Sequence, residues 1–171
     1  MTYGSFEFDR RGLLDCIIGQ FRVSLDGFHG PNHWARVRHH ALEVGRVVGA
    51  DLAVVELFAL LHDSQRRNED DDPLHGARAA VYAVSLQGGY FVLEAARLEQ
   101  LAFAIRHHSD GKRHKDPTIQ TCWDADRLDL GRVGIQPSAR YLSVEAAGFI
   151  DEAYRWSLAS GEREDPELFE F

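Results

Sequence analysis

The stretch FALLHDSQRRNEDDDPLHGARAA, residues 58–80, carries the reading that decides the fold. Its first four residues close an apolar run, and the next two are His62 and Asp63. Followed backward, ADLAVVELFALL at 50–61 is apolar nearly all round, the pattern of a central buried helix. His62 follows Val55 and Phe58 by seven and four residues, so it lies on their helix face and points into the interior with them. A buried helix that ends in an imidazole and a carboxylate delivers two ionisable groups to a core.

The spacing stays helical in both directions from this stretch. Trp34, Val37, Ala41, Val44 and Val48 step by three and four, with Asn32 as the expected cap behind the breaker DGFHGP. Asp72-Pro73 reads as a cap with proline at the first helical position, ahead of LHGARAAVYAVSLQ. A helix is expected from about Tyr90 to His108, with Leu98, Leu101, Ile105 and His108 in register. Asp116-Pro117 repeats the cap-proline signal before TIQTCWDADRLDL. A last helix covers about Ser143 to Ser160, and the acidic tail GEREDPELFEF reads as loose. No alternating strand pattern, repeat or low-complexity segment interrupts. The expectation is an all-α bundle of six or seven helices.

The 171 residues, 44% of them apolar, suit one domain with a core of its own, taken as 1–171. A net charge of −8 argues against a long nucleic acid as partner, which needs a cationic footprint. A small anionic substrate needs only a local positive site. Cys16 and Cys122 are far apart and read as thiols of a reducing compartment. MTYGSFEFDRRG lacks the apolar centre of a signal peptide, and the run at 50–61 is too short to span a bilayer and carries Asp51 and Glu56. A cytoplasmic protein without a membrane contact is expected. Trp34, Phe169 and Phe171 are the residues on which a homodimer could rest, with core packing or fraying as the plainer account.

Further polar residues occupy core-facing positions. His108 follows Leu101 and Ile105 by seven and three, and Asp126 follows Ile119 and Cys122 by seven and four. Asp124 and Asp129 flank Asp126, and Asp124 shares a more polar side with Gln120. An unpartnered buried carboxylate costs several kcal/mol or takes up a proton. Neutral imidazole nitrogens and carboxylate oxygens that converge are instead the donor set of a divalent metal. A single core histidine is more often a hydrogen-bonded structural residue, and a lone buried aspartate more often caps a helix or pairs with arginine. Several such residues on separate helices bring the two accounts level.

The order His33 in PNHWARV, His62-Asp63 in LLHDSQRR and Asp126 in WDADRLDLGRVG resembles the HD-domain superfamily of metal-dependent phosphohydrolases over about residues 30–135. The resemblance implies an all-α bundle in which His33, His62, Asp63 and Asp126 bind a divalent ion, with Mn, Zn, Fe, Co, Ni and Mg the candidates. IRHHSDGK is similar to the double-histidine segment of the cyclic-dinucleotide branch, and His75 sits where that branch has another ligand. The tyrosine-proline that follows in that branch is absent here, where DGKRHKD stands. His75, His107, His108 and Lys112 are accordingly candidates for a second metal or for substrate phosphate.

The implied activity is hydrolysis of a phosphate ester or anhydride of a nucleotide or similar small metabolite, with Asp63 and Arg66 as catalytic residues. Arg66, one turn past Asp63, is the first choice of phosphate clamp, ahead of Lys112 and Arg36, for which ordinary surface charge is the commoner role. Arg127 is expected to pair with an acid on another helix. Glu69 to Asp72 reads as a solvated loop, with a general base as the rarer alternative. Two other functions fit the same residues: a di-iron oxygenase on this scaffold, or a non-catalytic ligand-binding domain.

Overall fold

The structure is a computed structural model that describes residues 8–159. The tail at 161–171, with Phe169 and Phe171, lies outside the described residues. Among the described residues eight α-helices follow in order: α1 (Arg10–Gln20), α2 (Pro31–Val48), α3 (Leu52–Leu61), α4 (His75–Ser85), α5 (Ala95–His107), α6 (Pro117–Leu128), α7 (Val144–Ala147) and α8 (Ile150–Ala159). Short 3₁₀ turns at Asp129–Val133 and Ala139–Tyr141 join α6 to α7. Among the described residues there is no strand, only an isolated bridge between Gln87 and Phe91. The chain is the expected all-α bundle.

Local chemistry explains most helix ends. Asp51 caps α3 by accepting from the backbone N–H of Ala53 and Val54, and Arg97 forks onto the same carboxylate at 2.6 and 2.7 Å. Asp116 caps α6 through Thr118 and Ile119, with Pro117 in the first turn as expected. Each such cap is worth about 1 kcal/mol. Helix α2 stops at Gly49, whose φ of 74° is the left-handed conformation that glycine adopts without a Cβ penalty.

Other boundaries differ from expectation. Helix α2 begins at Pro31 behind Gly30, so Asn32 lies in its first turn and does not cap it. Asp72 does not cap α4, which starts at His75; its carboxylate accepts from the Arg67 N–H and pairs with Arg78. Residues 90–93 belong to a turn held by the Gln87 amide, which bonds both the N–H and the C=O of Leu93, so α5 starts only at Ala95. The helix expected over 143–160 is two helices, α7 and α8, parted at Gly148 and Phe149. Helix α1 was not expected, since Leu13, Leu14 and Ile17 alone give it a buried face.

Helix α3 is the axis, as its sequence demands: Ala53 through Leu61 are all buried. Helices α2, α4, α5 and α6 pack around it. Phe58, Leu57, Leu61, Leu101, Ile105 and both Trp34 and Trp123 are fully buried or nearly so, each contributing about 1.5–3 kcal/mol. Glu56 is the charged residue inside this run. It takes Arg10 at 2.8 Å and Arg38 at 2.7 Å, which fastens α1 and α2 to α3. Burial alone would raise its pKa, but the two guanidiniums outweigh that and lower it. A smaller cluster of Val44, Leu128, Leu142, Ala146 and Ala153 seats α7 and α8. Among the described residues no helix is long and apolar enough to cross a membrane. Cys16 and Cys122 are both free thiols.

Candidate metal centre

The helix ends bring the expected residues to one end of the bundle. His33 is in the first turn of α2, His62 closes α3 with Asp63 just beyond, His75 opens α4, His108 closes α5, and Asp126 is in the last turn of α6. All of them except Asp126 are buried, and its side chain is 16% exposed.

Two groups form around Asp63. Its Oδ2 is 3.6 Å from His33 Nε2 and 3.8 Å from His62 Nε2, and those two nitrogens are 3.0 Å apart. Asp126 Oδ1 joins them at 3.4 and 3.7 Å. The other oxygen, Asp63 Oδ1, is 3.3 Å from His75 Nε2 and 3.6 Å from His108 Nε2, which are 2.9 Å apart. Donors about 2.1 Å from an ion lie about 3.0 Å apart in an octahedron and about 3.4 Å apart in a tetrahedron. The spacings here run from 2.9 Å to 3.8 Å, from the octahedral value to a little beyond the tetrahedral one, and each group has the composition to hold a divalent ion: His33, His62 and Asp63, and Asp63, His75 and His108.

The tautomers strengthen this conclusion. His62 Nδ1 donates to the carbonyls of Phe58 and Ala59 at 3.2 Å, His75 Nδ1 to Asp72 O at 2.6 Å, and His108 Nδ1 to Ile105 O at 2.7 Å. A carbonyl only accepts, so each Nδ1 carries a proton, and a ring that is neutral presents an Nε2 lone pair. His33 Nδ1 likewise donates to Asp129 Oδ2 at 2.7 Å. Two pairs of lone pairs therefore face one another at 2.9 and 3.0 Å. That arrangement is repulsive unless a metal ion lies between them or one ring takes up a proton, as His108 is disposed to do where Asp63 outweighs its burial.

Electrostatics point the same way. Burial pushes His62 down to about 3, so it stays neutral as a ligand must. Burial would raise Asp63, but the imidazoles around it and the hydrogen bond from His29 hold it well below the usual range. Burial opposes ionisation of Asp126 too, and the imidazoles and the Arg132 guanidinium beside it overcome it. The centre is a pocket of carboxylates and imidazoles inside an apolar bundle.

A supporting layer surrounds the donors. Asp129 is wholly buried and takes Arg36 through Nε at 2.6 Å and Nη2 at 3.0 Å, besides His33. Arg36 is thus committed beneath the site, neither a surface charge nor placed for substrate. His29 Nδ1 bonds Asp63 Oδ2 at 2.7 Å, and Arg66 Nε bonds Asp63 Oδ1 at 3.1 Å. Arg132 comes within 3.8 Å of Asp126 Oδ1. His29, Asp129 as a partner of His33, and Arg132 were not foreseen. Asp129 had a signal, because it stands three residues past Asp126 and so near the same helix face. His29 had none, being part of a breaker loop.

Several candidates stand apart. His107 turns away from His108, half exposed, and bonds Asp110 at 2.9 Å, while Lys112 is exposed and 3.5 Å from the same carboxylate. The two adjacent histidines at the end of α5 point about 100° apart, so only one can enter the bundle. Asp124 shares a side of α6 with Gln120, as expected, but is fully buried there; it receives Gln120 and the backbone and hydroxyl of Ser143, and so anchors the start of α7. Arg127 bonds the carbonyls of Tyr141 and Lys112 instead of an acid. Within the Glu69 to Asp72 run, the Glu69 carboxylate packs against Gly27, and Asp72 is buried with Arg78.

The fold is shared with a solved structure. A crystal structure of a predicted HD superfamily hydrolase from an uncultured Thermotogales bacterium superposes with a TM-score of 0.64 over 87% of each chain, at 24% sequence identity. This shows that the chain has the HD-type fold. No protein-family model and no curated protein matches the chain.

Proposed function

We propose that the chain is a metal-dependent phosphohydrolase acting on a phosphate ester or anhydride of a nucleotide or similar small metabolite. The observation that carries this reading is the convergence of four imidazole Nε2 lone pairs on the two oxygens of one aspartate. The description of the Thermotogales protein as a hydrolase supports the reaction class.

His33, His62, Asp63 and Asp126 would hold one divalent ion, and Asp63, His75 and His108 a second. A divalent ion bound there supplies a Lewis acid for phosphoryl oxygen and a water of lowered pKa. The chain's own residues do the rest. Asp63 reaches both groups with one carboxylate, and His29 and Arg66 fix its orientation from either oxygen. Asp129 holds the His33 ring in the tautomer that frees Nε2 and makes that nitrogen a better donor. Arg66 is anchored through Nε to Asp63 and through Nη1 to Asp70 O, which leaves the rest of its fork to receive a phosphate oxygen. Apolar walls from α3 and α5 exclude bulk water from the donors and strengthen each of these contacts. The two free thiols fit a reducing compartment such as the cytoplasm.

The test is elemental analysis of protein purified without chelator or metal-affinity tag, followed by phosphate release across nucleotides and sugar phosphates. One or two equivalents of a transition metal with phosphate released is the expected result. Two equivalents of iron with oxygen uptake and no phosphate release would replace hydrolysis by oxygenase chemistry. No metal, even after incubation with manganese, zinc or cobalt, would leave a non-catalytic binding domain.

A further inference from the structure

Among the donors, Asp126 is the most exposed: 16% of its side chain is open, against 0–3% for His33, His62, Asp63, His75 and His108. Anything arriving from solvent therefore meets the centre beside Asp126. The guanidinium of Arg132 stands at that position. Its Nε donates to Phe28 O at 2.9 Å and its Nη1 to Asp129 O at 3.0 Å, which fixes the plane of the group. Its Nη2 lies 3.8 Å from Asp126 Oδ1, too far for a hydrogen bond, and keeps its N–H groups for another acceptor. Arg66 has the matching arrangement at Asp63, with Nε and Nη1 tied down.

We infer that Arg132 is a substrate-binding residue which, together with Arg66, selects a terminal phosphate over a phosphodiester. This rests on the phosphohydrolase reading and narrows its substrate class. Charge decides the preference. The carboxylates of Asp63, Asp126 and Asp129 are balanced by the guanidiniums of Arg36, Arg66 and Arg132 within 4 Å of them. Each divalent ion then leaves two positive charges for the substrate to neutralise. A terminal phosphate carries about −1.5 to −2 at neutral pH, whereas a diester carries one negative charge. A terminal group also has three free oxygens against two on a diester, and so more acceptors for the ion and the arginine forks. The competing role for Arg132 is purely structural: a clip between the Phe28 carbonyl and the 3₁₀ turn after α6.

Calorimetry on the metal-loaded protein separates the two. Inorganic phosphate and dimethyl phosphate serve as probes, and metal content is measured alongside. The wild type is expected to bind phosphate at least tenfold more tightly than dimethyl phosphate. Arg132→Gln is expected to weaken phosphate about tenfold and erase most of the discrimination at unchanged metal content, and Arg132→Lys to recover part of the affinity. Unchanged phosphate affinity in Arg132→Gln, or no discrimination by a metal-loaded wild type, overturns the inference while the phosphohydrolase reading stands. If Arg132→Gln sheds metal, Arg132→Lys decides: full metal with wild-type discrimination assigns Arg132 to structure, and full metal with reduced discrimination keeps it at the substrate. A wild type that holds no metal overturns both readings together.

Discussion

Replacing Asp129 by asparagine tests how the centre is supported. The carboxylate is wholly buried and accepts from His33 Nδ1 and from two nitrogens of Arg36 at 2.6–3.0 Å. Asparagine keeps the shape but offers one acceptor oxygen, and it leaves the Arg36 charge buried without a counter-ion. Breaking a buried pair on one side costs about 3–5 kcal/mol, and the retained amide oxygen places this change near about 3 kcal/mol. For a domain of this size that is a fall of roughly 6–12 °C in the melting temperature of the metal-free protein. A second effect is separate. His33 loses the anionic acceptor of its Nδ1–H, so its Nε2 becomes a poorer donor, and metal affinity is expected to drop about 10- to 100-fold. Differential scanning calorimetry on chelated protein gives the first quantity, and competition with a metal indicator gives the second. A melting temperature within about 1 °C of wild type would refute the buried-pair accounting. Unchanged metal affinity would falsify the role of Asp129 in holding His33.

At two places the chain sets an inward and an outward or sideways residue almost side by side, and these pairs make internal controls. Asp126→Ala is expected to abolish metal binding, while Asp124→Ala retains it and loses about 1–2 kcal/mol with the Ser143 contacts. His108→Ala is expected to lower metal content where His107→Ala leaves it unchanged; elemental analysis and thermal unfolding of the four variants read both outcomes. His40 gives a pH signature away from the donors. It is buried against Trp156 with its Nε2 unpartnered, and burial lowers its pKa from 6.5 to about 4. The unfolded chain takes up a proton below 6.5 that the folded chain refuses until about 4, so stability falls as pH drops through that window. At pH 5 the loss from this one residue is roughly 2 kcal/mol. His40→Phe is expected to flatten the urea-unfolding profile between those values. A wild-type profile that is already flat there would sink the assignment.

Much of the bundle was legible because helix periodicity is local. The apolar run at 50–61 had to be central, since no face of it tolerates water, and His62 inherited its inward direction from Val55 and Phe58. The same register separated His108 from His107 and turned Asp126 inward. The cap at Asp116 was equally local: its Oδ1 accepts from the N–H groups of Thr118 and Ile119 in the next turn, and Gln100 reaches the same carboxylate without displacing them. At Asp72 the same reasoning failed, because Arg78 and the Arg67 N–H, brought in by the turn at 64–74, compete for its carboxylate.

What the sequence by itself determined is most of the helices, which side of each is buried, and that His62, His108 and Asp126 lie on inward faces. What only the tertiary structure decided is which of those groups meet and what supports them. Asp129 with His33 and Arg36, His29 with Asp63, and Arg132 with the Phe28 carbonyl are 34 to 104 residues apart along the chain. Helical spacing carries no information across such gaps. It gives a direction from an axis, and the angle and distance between axes are set by how the side chains of α2, α3, α5 and α6 interlock.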